Sequence, residues 1–211
     1  MEFREVVRAR RMVRDYDPGR QVPEEALTRV LDAAVRAPSA GFTQGWGFLV
    51  LRTPADRELF WSATSPLATP PSRWLQGMRR APLIIVALSN RSAYLDRYAE
   101  PDKGWTDRDE ARWPVPYWHV DTGFAALLMM LTVVDEGLGS CFFGIPPERV
   151  GAFAGAFGVP PHFTPVGALT IGYPAPDRRS PSLRRGRRAV DEVVHHGRWA
   201  VPPPPPPADS R

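Results

Sequence analysis

The chain has 211 residues, 43% of them hydrophobic and 24% charged, the composition of one ordinary globular domain or at most two small ones. Its formal net charge of +4 rests almost wholly on arginine, with Lys103 the one lysine, which permits an anionic ligand or nucleic acid without requiring either. One cysteine, Cys141, excludes an intramolecular disulfide, and the charged start MEFREVVRAR carries no apolar run of secretory type, so a cytoplasmic protein is expected.

In chain order, Glu2–Ala9 reads as a short helix that ends where arginines begin. A second helix starts near Pro23, carries Glu24 and Glu25 in its first turn, and places Ala26, Leu27, Val30, Leu31 and Ala34 at helical spacing before stopping ahead of Pro38. Trp46–Leu51 and Pro82–Leu88 read as strands, the latter the more buried, with helices over Ala55–Trp61 and Arg73–Arg80 between them. Arg91–Pro116, rich in charges, aromatics and prolines, is expected to be a long irregular segment of functional or mobile character. A long apolar helix follows over Trp118–Glu136 and ends at Gly137. Flanked by Asp121 and Asp135, its apolar run is too short for a membrane span and is read as a core helix. Ser140–Phe143 is a strand, Pro147–Phe157 a helix, Thr164–Tyr173 a strand and Val190–His195 an extended segment. The closing VPPPPPPADSR is expected to be a solvated tail. Residues 1–199 then form one domain and 200–211 a disordered proline-rich tail, and the alternation of helices and strands points to one central sheet.

Arginines cluster at Arg10, Arg11 and Arg14 and again at Arg184, Arg185, Arg187 and Arg188. A guanidinium fork fits a phosphate and keeps its charge, so two separated clusters suggest one anion gripped from both sides; a solvated basic surface is the plainer alternative. Between them, the turn Ala37–Trp46 is built almost only from small residues, proline and glycine, with Ser39 and Gln44 as uncharged hydrogen-bonding groups. Such a turn suits a planar heterocycle, and equally a simple connection. Gly144, after Phe143, leaves a backbone amide unobstructed.

Five segments in order resemble the FMN-dependent nitroreductase family: Arg10–Tyr16, Ala37–Gly41 with Gln44 and Trp46, Gly137–Cys141, Gly172–Ala175 and Arg187–His195. The resemblance runs from about residue 3 to residue 199. It implies an α+β fold of nitroreductase type, three α/β/α layers around a central, mostly antiparallel sheet. It also implies a homodimer whose C-terminal extension reaches the partner, with FMN at the subunit interface and NAD(P)H as electron donor. Arg10, Arg11, Met12 and Arg14 would contact the flavin, Arg14 nearest its pyrimidine edge. Pro38, Ser39 and Ala40, with Gln44, would line the ring and ribityl chain, Phe143 and Gly144 would offer backbone amides near N5 and O4, and Arg185 and Arg187 would hold the phosphate. The flavin carries the chemistry, so no protein nucleophile is named and no metal is expected.

Four positions depart from the family pattern: Met12 stands for a usual serine, Phe42 for asparagine, Gly45 for proline before the tryptophan, and Ala189 for proline. Phe42, Trp105, Trp113 and Tyr117 are assigned to a substrate pocket, a mobile aromatic wall over a flat acceptor such as a nitroaromatic, quinone or enone. A flavin-fragmenting or substrate-specific relative is the alternative, and a non-enzymatic anion or nucleic-acid module a further one. His119 and Asp121 lie two apart and do not share a helix face, so they read as capping or interface residues, and Cys141 as a buried structural thiol.

Overall fold

Four runs of apolar residues pair into a single antiparallel sheet, and helices of the first unit pack on its two faces. The computed structural model describes residues 1–65, 71–176 and 180–199. The chain divides into two units, Met1–Asp177 and Arg178–Arg211. In the first, β1 (Trp46–Leu51), β2 (Leu83–Asn90), β3 (Gly139–Phe143) and β4 (Phe163–Gly172) stand in the order β1-β2-β4-β3. Every neighbouring pair is antiparallel. The two middle strands are buried on both faces, which is why β2 reads as an unbroken apolar run.

The pleat sorts the core into two halves. Leu83, Ile85 and Ala87 with Leu169 and Ile171 pack against α2 (Glu24–Ala34) and α6 (Tyr117–Asp135). Ile84, Val86 and Leu88 with Ala168 and Cys141 pack against α3 (Pro54–Thr64), α4 (Arg73–Arg79) and α7 (Val150–Phe157). The three-layer α/β/α expectation therefore holds. The first helix, α1 (Phe3–Ala9), lies on α6. Helix α6 is long and apolar enough to cross a membrane by length and composition, yet Ala125, Ala126, Met129, Met130 and Val133 sit inside the core.

Helix starts follow local chemistry. Thr53 and Asp56 form a reciprocal capping box around Pro54 at the start of α3. Ser72 Oγ accepts from the Leu75 amide at the start of α4. Asn90 does the same for Ala93 and opens α5 (Arg91–Ala99), a helix where an irregular segment was expected. The remainder of that segment is also ordered, with a 3-10 turn at Glu110–Arg112 and ion pairs Arg91–Glu110 (2.7 Å) and Arg108–Asp96 (2.6 Å) drawing it back onto α5. Five salt-linked or hydrogen-bonded anchors outweigh the prolines. In the second unit Val190–Glu192 is a 3-10 turn and not extended; the expected tail over 200–211 lies outside the described residues.

Candidate functional site

After α1 the chain runs along the outer edge of β3. The Val13 amide donates to the Ser140 carbonyl at 2.9 Å, and Met12 forms a parallel bridge to Ser140. Tyr16, fully buried, donates its hydroxyl to the Val13 carbonyl at 2.7 Å. Helix α4 presses on this segment from the side: a Cβ on Gly77 would lie 2.1 Å from the Arg14 carbonyl oxygen. Backbone contacts thus hold Arg10–Arg14 in place. Arg14 Nη1 folds back to the Met12 carbonyl at 3.2 Å. Arg10 and Arg11 have no carboxylate within ion-pair distance among the described residues.

At the C-terminal end of β3, Phe143 and Gly144 border a cavity of about 200 Å³. Its walls come from the end of α3 and the start of α4, chiefly Trp61, Trp74 and Leu75, with Thr64 and Ser72 as the polar rim and no charged side chain among the described residues. Trp61 stacks on Phe143 with ring centroids 5.6 Å apart and planes within 8° of parallel. Trp74 meets the same ring edge-on at 5.6 Å. The Trp61 indole N–H is buried without an acceptor among the described residues. An uncharged aromatic slot with one spare donor suits a flat ligand bearing a carbonyl or nitro oxygen.

The small-residue turn stands at the opposite edge of the sheet. It leads into β1, whose Trp46 pairs with Ser89, while Phe143 pairs with Ala168 at the far side of β4. Two strands intervene, so the two groups are about three strand spacings apart, roughly 14 Å. Gly41 (φ 63°), Phe42 (φ 53°) and Gln44 (φ 53°) are all left-handed, and two of the three are not glycine. Such strain persists only where surroundings over-determine it. Here Ser39 Oγ accepts from the Gln44 amide at 2.9 Å and Arg97 Nε donates to the Gly41 carbonyl at 3.0 Å. Asp121 Oδ2 accepts both the Ala40 amide (2.8 Å) and the Tyr94 hydroxyl (2.7 Å). Burial, and then the bond to Asp121, push the Tyr94 hydroxyl well above its ordinary pKa. Gly45 is required because a Cβ there would meet the Tyr94 ring at 2.5 Å. Phe42 is left 77% exposed.

The aromatic residues expected to form a mobile wall are packed on one another behind this turn. Trp113 is their hub, with Tyr98 at 4.5 Å, Trp105 at 5.5 Å and Tyr117 at 5.8 Å between ring centroids. Tyr98 lies beneath Gly41, so the cluster braces the turn. In the second unit, Arg185 ends the 3-10 turn Pro181–Arg185 and Arg187 follows it; both are exposed. Next to them Arg188 pairs with Glu192 at 3.0 Å.

The profile of the Nitroreductase family matches residues 7–173. This chain belongs to the nitroreductase family. A relative from Thermus thermophilus named NADH dehydrogenase is 30% identical over 198 residues, covering 83% of this chain and 90% of its own. One from Archaeoglobus fulgidus, named for NADH dehydrogenase and NAD(P)H nitroreductase activity, is 28% identical over 94% of this chain and 99% of its own. Among solved structures, one from Desulfovibrio desulfuricans in complex with FMN superposes with a TM-score of 0.69 at 23% identity, over 95% of this chain and 99% of that one. At that identity the likeness shows the nitroreductase fold.

Within this nitroreductase-family chain the expected residues divide cleanly. Arg10, Arg11, Met12, Arg14, Phe143 and Gly144 gather at the β3 edge. Pro38, Ser39, Ala40, Phe42 and Gln44 gather at the β1 edge, with Trp105, Trp113 and Tyr117 behind them. Trp61 and Trp74, which wall the cavity, carry no signal in the sequence, whereas Asp121, which holds the turn with Tyr94, is expected there only as a capping or interface residue. Asp121 did carry a signal, as a lone carboxylate within an apolar run. The reading had compared it only with His119, whose Nδ1 instead meets Ser89 Oγ at 2.8 Å.

Proposed function

We propose that this protein is an FMN-dependent NAD(P)H oxidoreductase that reduces a flat, uncharged acceptor such as a nitroaromatic or quinone. The observation that carries the reading is that Arg10 and Arg11, with no carboxylate within ion-pair distance among the described residues, lie on the segment along β3, at whose end is a cavity with aromatic, uncharged described walls. That donor set fits a ligand with an anionic end and a planar ring. Bound FMN would supply hydride acceptance and release, alternately from the nicotinamide and to the acceptor.

The residues of this chain have simpler tasks. Arg10 and Arg11 would hold the phosphate by charge-assisted hydrogen bonds. The fixed charge of Arg14 would stabilise negative charge on the pyrimidine side of the ring. Backbone amides at Phe143 and Gly144 would orient the ring, while Trp61 and Trp74 exclude water and stack on the acceptor. Ser39 and Gln44 would reach the cofactor from the other edge of the sheet.

A gap of roughly 14 Å between the two groups is too wide for both to close on one ring within a chain, which favours a homodimer sharing its sites. Two surfaces support that assembly. Val120, Phe124, Leu127, Leu131 and Val134 form one stripe along α6, at spacings of three and four, that is exposed or half-buried. The outer edge of β1 is unpaired among the described residues, an edge open to an added strand.

The visible absorption spectrum tests the proposal. Purified protein should be yellow, and anaerobic NADPH should bleach it within a turnover. Colourless protein that fails to take up added FMN would sink it.

A further inference from the structure

Asp121 is 2% exposed, within the long apolar helix α6, and has no cationic partner among the described residues. A carboxylate in such a place is costly, and an apolar side chain would pack there at less expense. What it holds is specific. One oxygen, Oδ2, takes the Ala40 amide from a loop 81 positions earlier and the Tyr94 hydroxyl from α5. Ala40 is the residue from which the left-handed run begins: its carbonyl accepts the Thr43 hydroxyl at 2.6 Å, and Gly41 follows at φ 63°. On the far side, Tyr94 supports Gly45, where the turn re-enters the sheet. Both ends of the strained turn are thereby referred to a single buried charge.

We propose that Asp121 is a positioning residue for the cofactor-binding turn Ser39–Gln44, fixing Gly41, Phe42 and Gln44 in their left-handed conformations through Ala40 directly and through Tyr94. The proposal rests on the reading of that turn as part of the flavin site. A core role alone would make any change at Asp121 loosen the whole fold. Positioning makes it loosen the turn first.

The test compares the full-length wild type with Asp121→Asn and Tyr94→Phe by amide hydrogen exchange, with and without FMN, alongside titration with FMN followed by flavin fluorescence. Replacing the charged acceptor by a neutral one should speed exchange across residues 39–44 by about tenfold, and removing only the hydroxyl by about threefold. Strand β2, Leu83–Asn90, should keep its protection in both. FMN dissociation constants should rise in the same order and by similar factors. Unchanged exchange at 39–44 in both variants would overturn the proposal, as would a uniform rise that includes β2. Faster exchange confined to the turn with unaltered FMN affinity would overturn the flavin assignment of the turn instead. Should Asp121→Asn fail to fold, Tyr94→Phe carries the same comparison.

Discussion

Gly77 and Arg14 touch so closely that a Cβ on the first would lie 2.1 Å from the carbonyl oxygen of the second. The contact makes α4 a splint for the arginine segment, and it sets a sharp contrast between glycines. Gly77→Ala should destabilise the protein by about 1–3 kcal/mol, because backbone has to move to admit the methyl group. Gly155→Ala, on α7 with nothing within 4 Å, should gain up to about 1 kcal/mol. Urea denaturation of the pair checks both signs, and Gly77→Ala should also weaken FMN uptake.

Arg14→Ala should raise the FMN dissociation constant roughly ten- to hundredfold, the worth of one or two hydrogen bonds from a charged donor. Arg4→Ala, on the exposed side of α1, should leave it unchanged. Flavin fluorescence titration distinguishes them; equal affinities would remove Arg14 from the site.

His119 is half-buried on α6, and burial holds its pKa below the ordinary histidine value. The unfolded chain therefore binds a proton that the folded one resists, so stability rises with pH across the interval below about 6.5 and falls on acidification through it. His119→Asn keeps an acceptor for Ser89 but does not titrate. Between pH 7.5 and pH 5.5 the wild type should lose more stability than this variant, measured as the shift in Tm.

Trp74 is 40% exposed and closes one side of the cavity against Phe143. Trp74→Ala should widen the slot with little loss of fold, raising kcat/KM for bulky quinones about threefold or more relative to small ones. Steady-state kinetics with two acceptors of different size provide the measure.

Most of the elements were legible because their patterns are local. The bounds of β1 were read to the residue, and those of α1, α2, α6, β3 and β4 within about two. Helix α5 was not, since RSAYLDRYA buries only Tyr94 and shows no apolar face. Its one clear cue was Asn90 as a cap, which was masked by β2 running two residues further than expected and leaving no gap. The segments proposed for the site are legible where they are motifs, at Arg10–Arg14 and Ala37–Gln44. The rest was hidden where partners come from afar: Trp61 reaches Phe143 across 82 positions and Asp121 reaches Ala40 across 81. No spacing rule encodes such pairs; they exist because the sheet order β1-β2-β4-β3 brings the flanking helices together.

That strand order also bears on heredity at the level of whole subunits. With the arginine edge and the turn at opposite margins of one sheet, two separately impaired chains would become complementary in the proposed homodimer. A dimer of one Arg14→Ala chain and one Gly45→Val chain would combine both lesions in one site and leave the other intact. Random mixing of the two should therefore restore about a quarter of the sites to wild-type FMN affinity, from parents that bind it weakly. Absence of any rescue would mean that each chain builds its site alone.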